Sequence, residues 1–535
     1  MTTTEQSNTP GTPPSLLRQI SHYFGGQVAI MAAGFISLPI VTRGLGTEAY
    51  GIVNLVGRML ILLTAVSKMG LSHASIRFAG RPKEGEERAE QTLQSSLLIA
   101  ATVSAFVFCA VLTGSVWLYM SGHVPKHSIA DTILSLMLGG RATSPYMVLA
   151  GLWALPRTVT SVLAALQRAE RRSKEATAYS VVLRYASLIC GISSLLVYHT
   201  VSAFLIAGIA AETFVTLYYL IGWWRSHHLG VRLFCVPQVR MALSYGLPLI
   251  IYEVASVMVA YCDNFIIAHF SGRAAVGLYG AGYGIAEIVP ALLAFPVEMV
   301  VTPHCFRLWE TEGPARTAEF LSRSAARYAI AVFPALALFC VAAPTVVVVI
   351  SGEAFAGAAK VIPWVLAGLA LTSVFCPMVA VGFLVEKRTK AFTSIMVAAV
   401  AVNAALNWVL VPRMGYVGGG VSTFITYGLV LLATGIGASR YLRVYWQWAS
   451  LARAVVLSIG IAVLVAVIPG GHGILMTLAR VVAGAVLYAR IATPLDPNAK
   501  WVVESGHKWL GEHRLPTAWL ALVTGHKPAV VAGSV

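Results

Sequence analysis

The chain has 535 residues, of which 57% are hydrophobic and only 11% charged, and its mean hydropathy is +0.76. Soluble domains carry about 25% charged residues, so a soluble globular protein is excluded and an integral membrane protein is left. The net charge of +16 does not argue for nucleic acid, because Lys and Arg are spread over alternate loops rather than gathered in one basic patch.

Residues 1–18, MTTTEQSNTPGTPPSLLR, are polar and rich in Pro and Thr, with no basic start before an apolar run. They read as a disordered cytoplasmic tail and not as a cleavable signal. About fourteen apolar runs of ~20 residues follow, each long enough to cross ~30 Å of hydrocarbon as a helix. The expected fold is therefore all-α, since backbone groups in lipid must be bonded within their own segment. A first lobe, 19–226, holds spans near 22–41, 50–71, 93–120, 143–165, 178–198 and 201–224, with bounds good to ~2–4 residues. Within it, 129–140 reads either as the outer half of the fourth span or as an interfacial segment. A second lobe, 227–440, holds spans near 243–270, 275–301, 328–350, 361–385, 391–411 and 417–438. Residues 441–492 add two more, near 451–469 and 474–491. The remainder, 493–535, is expected to be a cytoplasmic tail. In it Trp501 and Trp509 beside Lys500 and Lys508 are spaced either to lie on a membrane interface or to belong to a loosely ordered extension.

One set of alternate loops carries Arg77, Arg81, Lys83 and Arg88, then Arg168, Arg171, Arg172 and Lys174, then Arg225, Arg232 and Arg240, and so on to Arg440 and Arg443. The other set offers only Arg43, Lys126, Arg273, Lys360 and Arg413. The positive-inside asymmetry places both termini in the cytoplasm.

The chain also repeats itself. GTEAYGIVNLVG, Gly46 to Gly57, aligns with GRAAVGLYGAGY, Gly272 to Tyr283, on the pattern G-x-x-A-[YV]-G-[IL]. An even number of spans separates the copies, so both halves enter the membrane the same way. The plan is six plus six plus two, with parallel repeats about an axis along the membrane normal.

Ionisable residues inside spans are costly and mark functional candidates. In the first half they are mostly cations, Arg58, Lys68, Arg157 and Arg184, with Glu212 the one acid. In the second half they are acids, Glu253, Asp263, Glu287 and Glu298; Arg480, in the last span, breaks the division. Arg58, Arg157, Arg184 and Arg480 are candidates to hold a diphosphate, because the guanidinium fork matches phosphate oxygens. The structural alternative is that the same cations pair with acids of the other half or snorkel to an interface. Asn403 and Asn407, one helical turn apart, together with Thr423 and Asp263 offer an all-oxygen nest for a small cation such as Na+. The competing reading is that the Asn pair joins helices by hydrogen bonds. Glu287 is a further candidate for ion or proton coupling.

GLYGAGYG follows a span, so it reads as small-residue helix packing and not as a dinucleotide loop. No P-loop, HExxH or CxxC is present, and no organic cofactor or metal site is expected beyond a coupling ion. Pro39, Pro248, Pro290, Pro296 and Pro377 interrupt spans and are candidate bending points.

LLRQISHYFGGQVAIMAAGFISLPIVTRGLGTEAYGIVNLV, MGLSHASIRF, CDNFIIAHFSGRAAVGLYGAGY and NAALNWVLVPRMGYVGGGVST resemble the corresponding stretches of Wzx-type polysaccharide flippases, a branch of the multidrug/oligosaccharidyl-lipid/polysaccharide exporter superfamily. The resemblance covers about Leu16 to Arg440. It implies two six-helix lobes in a V around a central cavity, and transport of a polyprenyl-diphosphate-linked oligosaccharide from the inner to the outer leaflet. Polysaccharide polymerase and glycosyltransferases are the implied partners. In the related lipid II flippases a sodium site uses positions that match Asp263, Asn403, Asn407 and Thr423; Asn407 departs from it, standing where those proteins carry an acid. A cation-coupled drug antiporter of the same superfamily would favour acids in both lobes. A membrane polymerase or glycosyltransferase would need a large outer loop, and a scaffold within an assembly complex is a third possibility left open by the residues.

Overall fold

The computed structural model describes residues 16–80, 85, 87–126, 128–468 and 473–512. Among them the chain is helical throughout, with no strand. The helices are α1 (Leu16–Ser67), α2 (Leu71–Phe78), α3 (Glu87–Met120), α4 (Ile129–Leu138), α5 (Ser144–Ala169), α6 (Ser173–Tyr198), α7 (Val201–Ser226) and α8 (Val236–Pro296). They continue as α9 (Thr302–Thr311), α10 (Gly313–Ser351), α11 (Ile362–Ala370), α12 (Cys376–Val385), α13 (Thr389–Met414) and α14 (Tyr416–Ala438). α15 (Trp448–Val467), α16 (Ile474–Leu495) and α17 (Pro497–Glu512) complete them.

Twelve stretches among the described residues are long and apolar enough to cross a membrane. Those in α1, α8 and α10 are far longer than the ~20 residues one crossing needs, at 40, 59 and 39 residues. α1 and α8 differ from α10 in that each is broken by a single glycine at the head of the repeated sequence. Gly46 has φ 73° and ψ 179°, and Gly272 has φ 80° and ψ 177°. That conformation is open to glycine and strained for a residue with a Cβ. The turn expected between spans is thus one residue, and helix resumes at once on either side.

α1, α5, α6 and α7 pack on one another, α8 packs on α11, α13 and α14, and α1 against α8 forms the seam between the two sets. The seam is built by the repeat itself. A Cβ on Gly51 would lie 2.0 Å from the Arg273 carbonyl oxygen, and one on Gly277 would lie 1.9 Å from that of Thr47. Gly51 and Gly277 hold the same place in the two copies, so the helices cross backbone to backbone at equivalent points. Glu48 and Arg273 close an ion pair beside the crossing, and the Arg43 guanidinium donates to the Val349 carbonyl at 2.6 Å. At the far end of the seam Gly70 packs on Gly246, and Lys68 ion-pairs with Glu253, which His73 also approaches at 3.4 Å.

Several open choices are decided. Residues 129–138 form a separate ten-residue helix: Ser128 caps it by accepting from the Asp131 N–H at 3.0 Å, and Gly139 ends it at φ 68°. α15 and α16 dock on α10. α17 packs on α10 and α16, with the Trp501 ring 3.8 Å from the Arg327 guanidinium, so this part of the tail is an ordered helix docked on the bundle. The Trp509 and Lys508 side chains, the Glu298 side chain, and residues 1–15 and 513–535 lie outside the described residues. Of the candidate bends, Pro296 and Pro377 flank widened π-type turns at 297–301 and 371–375, where a missing N–H has broken the regular ladder.

At the end of α5, the Glu170 carboxylate is 2% exposed and accepts from Gln94 at 3.0 Å, from His227 and from Arg172. Burial alone would push its pKa up, but the hydrogen bonds from His227 and Gln94 and the charge of Arg172 hold it below the usual carboxylate range. A carboxyl depressed in the folded state stabilises above its unfolded pKa of ~4.3, and that contribution is lost as pH falls through the lower folded value. Glu170→Gln is expected to lower the melting temperature at neutral pH and to flatten its fall between pH ~5 and ~3, read by thermal unfolding in detergent across pH. At the seam, Gly277→Ala should cost at least about 1–3 kcal/mol through overpacking. Gly284→Ala, with nothing within 4 Å of its Cβ, should leave the same melting curve unchanged.

Candidate functional site

A cavity of about 520 Å³ opens beside the seam, walled by α1, α5, α6 and α7 on one side and by α8 on the other. Arg58, Arg157 and Arg184 all line it. They come from three helices, so three of the four first-half cations singled out in the sequence converge, Lys68 being the exception. Arg58 lies two turns beyond the Gly51 crossing; the equivalent position in the other copy is Gly284, also in the lining, and its missing side chain leaves room opposite the guanidinium.

The three arginines differ in their bonding. Arg157 forms a forked pair with the fully buried Glu212, at 2.5 Å from Nε and 2.7 Å from Nη2, and Trp153 Nε1 donates to the same carboxylate at 2.6 Å. For Arg157 the pairing reading holds, though its partner is within its own half of the chain. Arg58 stacks 4.0 Å over the Tyr261 ring and lies 5.4 Å from that of Tyr283. Among the described residues neither Arg58 nor Arg184 has a carboxylate within the 4.0 Å of an ion pair. Arg184 Nε and Asn54 Oδ1, both in the lining, are buried without a hydrogen-bond partner. Such groups cost about 1–3 kcal/mol each when left unmet, so the cavity is built to receive polar atoms.

Glu287 is the acid on the α8 wall, and it acts electrostatically on Arg58 without pairing with it. Three guanidinium groups against Glu212 and Glu287 leave this cavity net positive. Arg480 is not brought here: it sits on α16, which packs on α10, and its Nε is buried without a partner. Lys68 and Glu253 are likewise taken up by each other at the seam.

A second polar cluster lies in the other half. Asp263 is fully buried; it accepts from the Asn264 N–H at 2.7 Å, the Asn264 amide at 2.8 Å, the Thr423 hydroxyl at 3.3 Å and the Tyr279 hydroxyl. Asn403 and Asn407 are bonded to each other, Asn407 Nδ2 donating to Asn403 Oδ1 at 3.0 Å, and Asn403 Nδ2 donates to Thr426 at 3.1 Å. The two groups adjoin through Cys262, whose Sγ donates to Asn403 Oδ1 at 3.0 Å. The Asn pair therefore does tie α13 to α14, as the packing reading has it. Asn407 Oδ1 nevertheless remains a buried acceptor without a donor. Carboxylate, hydroxyl and amide oxygens are the donors a small hard cation prefers, so Asp263, Thr423 and Asn407 fit a sodium ion or a proton in kind.

Sequence reasoning missed the tyrosines that stand between the two clusters. Tyr279 bonds Asp263, its ring centroid is 5.9 Å from that of Tyr283, and Tyr283 is 6.0 Å from Tyr261, on which Arg58 rests. The signal was the i, i+4 spacing of Tyr279 and Tyr283, which puts both rings on one face of α8.

Two helical sets joined at a repeated crossing, with a polar cavity in one and a buried carboxylate cluster in the other, define a multi-pass membrane protein built from two related halves. The chain belongs to the polysaccharide biosynthesis protein family, whose model matches residues 16–309. Its fold is similar to that of the lipid II flippase MurJ in an inward closed conformation, at TM-score 0.67 and 13% identity, over 89% of this chain and 98% of that one. It is also similar to an inward-facing multidrug resistance MATE family transporter, at TM-score 0.58 and 15% identity, over 80% and 95% of the two chains. An uncharacterized membrane protein of Methanocaldococcus jannaschii is 24% identical over 199 residues, which is 36% of this chain and 38% of that relative, so the match spans well under two thirds of the relative's length.

The different bonding of the arginines is testable by stability alone. Arg157→Gln strands a fully buried carboxylate and should destabilise by several kcal/mol, up to about 3–5. Arg184→Gln removes a cation that has no acid partner and should leave the melting temperature unchanged or raised.

Proposed function

We propose that this protein is a flippase that moves a lipid-diphosphate-linked oligosaccharide, such as a polysaccharide or O-antigen repeat unit, from the inner to the outer leaflet by alternating access. The observation that carries the reading is the cavity in which Arg58 and Arg184 lack acid partners beside a third, fixed arginine. A diphosphate supplies the oxygens such groups need, and charge-assisted Arg–phosphate bonds are roughly twice as strong as neutral ones. Trp153 and Ser187 in the lining offer an aromatic face and a hydroxyl to the first sugar, while the polyprenyl chain stays in the bilayer. Membership of the polysaccharide biosynthesis family and a fold shared with a lipid II flippase support the substrate class.

In this reading the broken helices α1 and α8 each cross the membrane twice, which makes fourteen crossings with both termini in the cytoplasm of a cell whose inner membrane holds the protein. The lobes, 19–226 and 227–440, part at one end of the seam or the other. Opening on one side must break Lys68–Glu253, and opening on the other must break Glu48–Arg273. A proton or sodium ion at the Asp263 cluster resets the cycle, with the Tyr279–Tyr283–Tyr261 wall linking it to Arg58. A polymerase and glycosyltransferases that make and consume the cargo are the partners.

The test is flipping of a fluorescent polyprenyl-diphosphate oligosaccharide in proteoliposomes. Arg58→Glu and Arg184→Glu should each reduce flipping at least tenfold, about 1.4 kcal/mol or more of lost interaction, in protein that still elutes as a single folded species. Full activity in both variants overturns the diphosphate role. Asp263→Asn should remove the dependence on a proton or sodium gradient; an unchanged dependence makes Asp263 a packing residue.

A further inference from the structure

A second cavity, of about 530 Å³, lies where α5 ends, α6 begins and α7 ends, and shares no lining residue with the first. Its polar lining is Gln167, Arg172, Glu175, Arg225 and Ser226, and its rings are Tyr218, Tyr219 and Trp223. Arg225 has no ion pair among the described residues. Arg172 is held in position by Glu170 at 3.2 Å and Glu175 at 3.4 Å. Glu170 and Glu175 balance the charge of Arg172 and one more, so the cation at the mouth that is free to meet an anion is Arg225. Gln167 is only 3% exposed, and its Oε1 is buried without a hydrogen-bond partner. That oxygen needs an O–H or N–H from something that enters the pocket. Trp223 forms a rigid side: its indole N–H donates to Gln94 at 3.0 Å and its ring stacks 3.9 Å from His227.

What lies next to this pocket along α7 is apolar and uncovered. Phe214, Leu217, Tyr218 and Ile221 are 74%, 50%, 70% and 49% exposed, on a helix apolar enough to cross the membrane. An arginine without an acid partner, an orphan acceptor and the uncovered apolar face of α7 fit a single amphiphile with an anionic, hydrogen-bond-donating head. A soluble phosphate would have no use for the apolar face.

We propose that this pocket binds an anionic glycerophospholipid of the surrounding leaflet, with its phosphate on Arg172 and Arg225 and a headgroup hydroxyl donating to Gln167. Basic pockets between membrane helices at the cytoplasmic side favour such heads. The bound lipid bridges the end of α7 to the turn between α5 and α6, and it does so whatever the cargo of the first cavity. The inference therefore stands apart from the transport reading.

The experiment uses the full chain, purified and delipidated, with phosphatidylglycerol, phosphatidylcholine or polyprenyl phosphate added back. Retention is read by native mass spectrometry and stability by thermal unfolding. Phosphatidylglycerol should be retained and raise the melting temperature; phosphatidylcholine should do neither. Arg225→Gln and Gln167→Leu should each weaken phosphatidylglycerol retention about tenfold. Arg225 is exposed, so its substitution leaves the fold intact, and Arg225→Glu should abolish retention. Equal retention of the two phospholipids, or undiminished retention in Arg225→Glu, overturns the proposal. Preference for polyprenyl phosphate over phosphatidylglycerol also overturns it, by making the pocket a waiting site for cargo.

Discussion

Two transmembrane helices meet backbone to backbone at Gly51 and Gly277, and the rest of the arrangement follows from that approach. Lipid tails are as apolar as leucine, so helices in a bilayer gain little by hiding apolar side chains and associate by close packing and polar contacts. Two turns beyond the crossing the same pair of helices diverges around Arg58 and Gly284, and the cavity begins. The backbone contact sets where the helices touch; the unequal residues after it set where they do not.

The polar residues divide by what they hold together. Arg157, Glu212 and Trp153 join α5 to α7 within one set of helices, in a low-dielectric setting where breaking the pair leaves a stranded charge. Such a contact favours a set that moves as a body. Lys68–Glu253 and Glu48–Arg273 join α1 and its neighbouring turn to α8 across the seam, and these groups are partly exposed. A contact that water can reach on separation costs less to break, as a moving seam requires.

The repeat, the all-helical fold, the convergence of Arg58, Arg157 and Arg184 and the buried Asp263 cluster were legible because each leaves a local mark: a costly charge in an apolar run, or a glycine pattern occurring twice. Pairings were less legible. Glu212 stands 55 positions from Arg157, and nothing local says which acid a guanidinium will meet. Arg480 looked like the other intramembrane cations because composition records the charge and not the side of the bundle on which its helix docks. Tyr279 was hidden by its small neighbours, which do pack as read, while the ring between them reaches Asp263. The contact of Trp501 with Arg327 on α10 was likewise invisible, because the two stand far apart in the chain.

The crossing also has a lineage written into its geometry. Because Gly51 and Gly277 are the same residue of two copies, each lying over the carbonyl of the other's Thr47 or Arg273, the contact is the self-complementary one that two identical half-length chains would make as a dimer. Charge no longer obeys that symmetry: Glu48 meets Arg273, while the mirror pair is Thr47 and Ala274. Within one chain the two halves need not stay alike, and at this contact their charges do not.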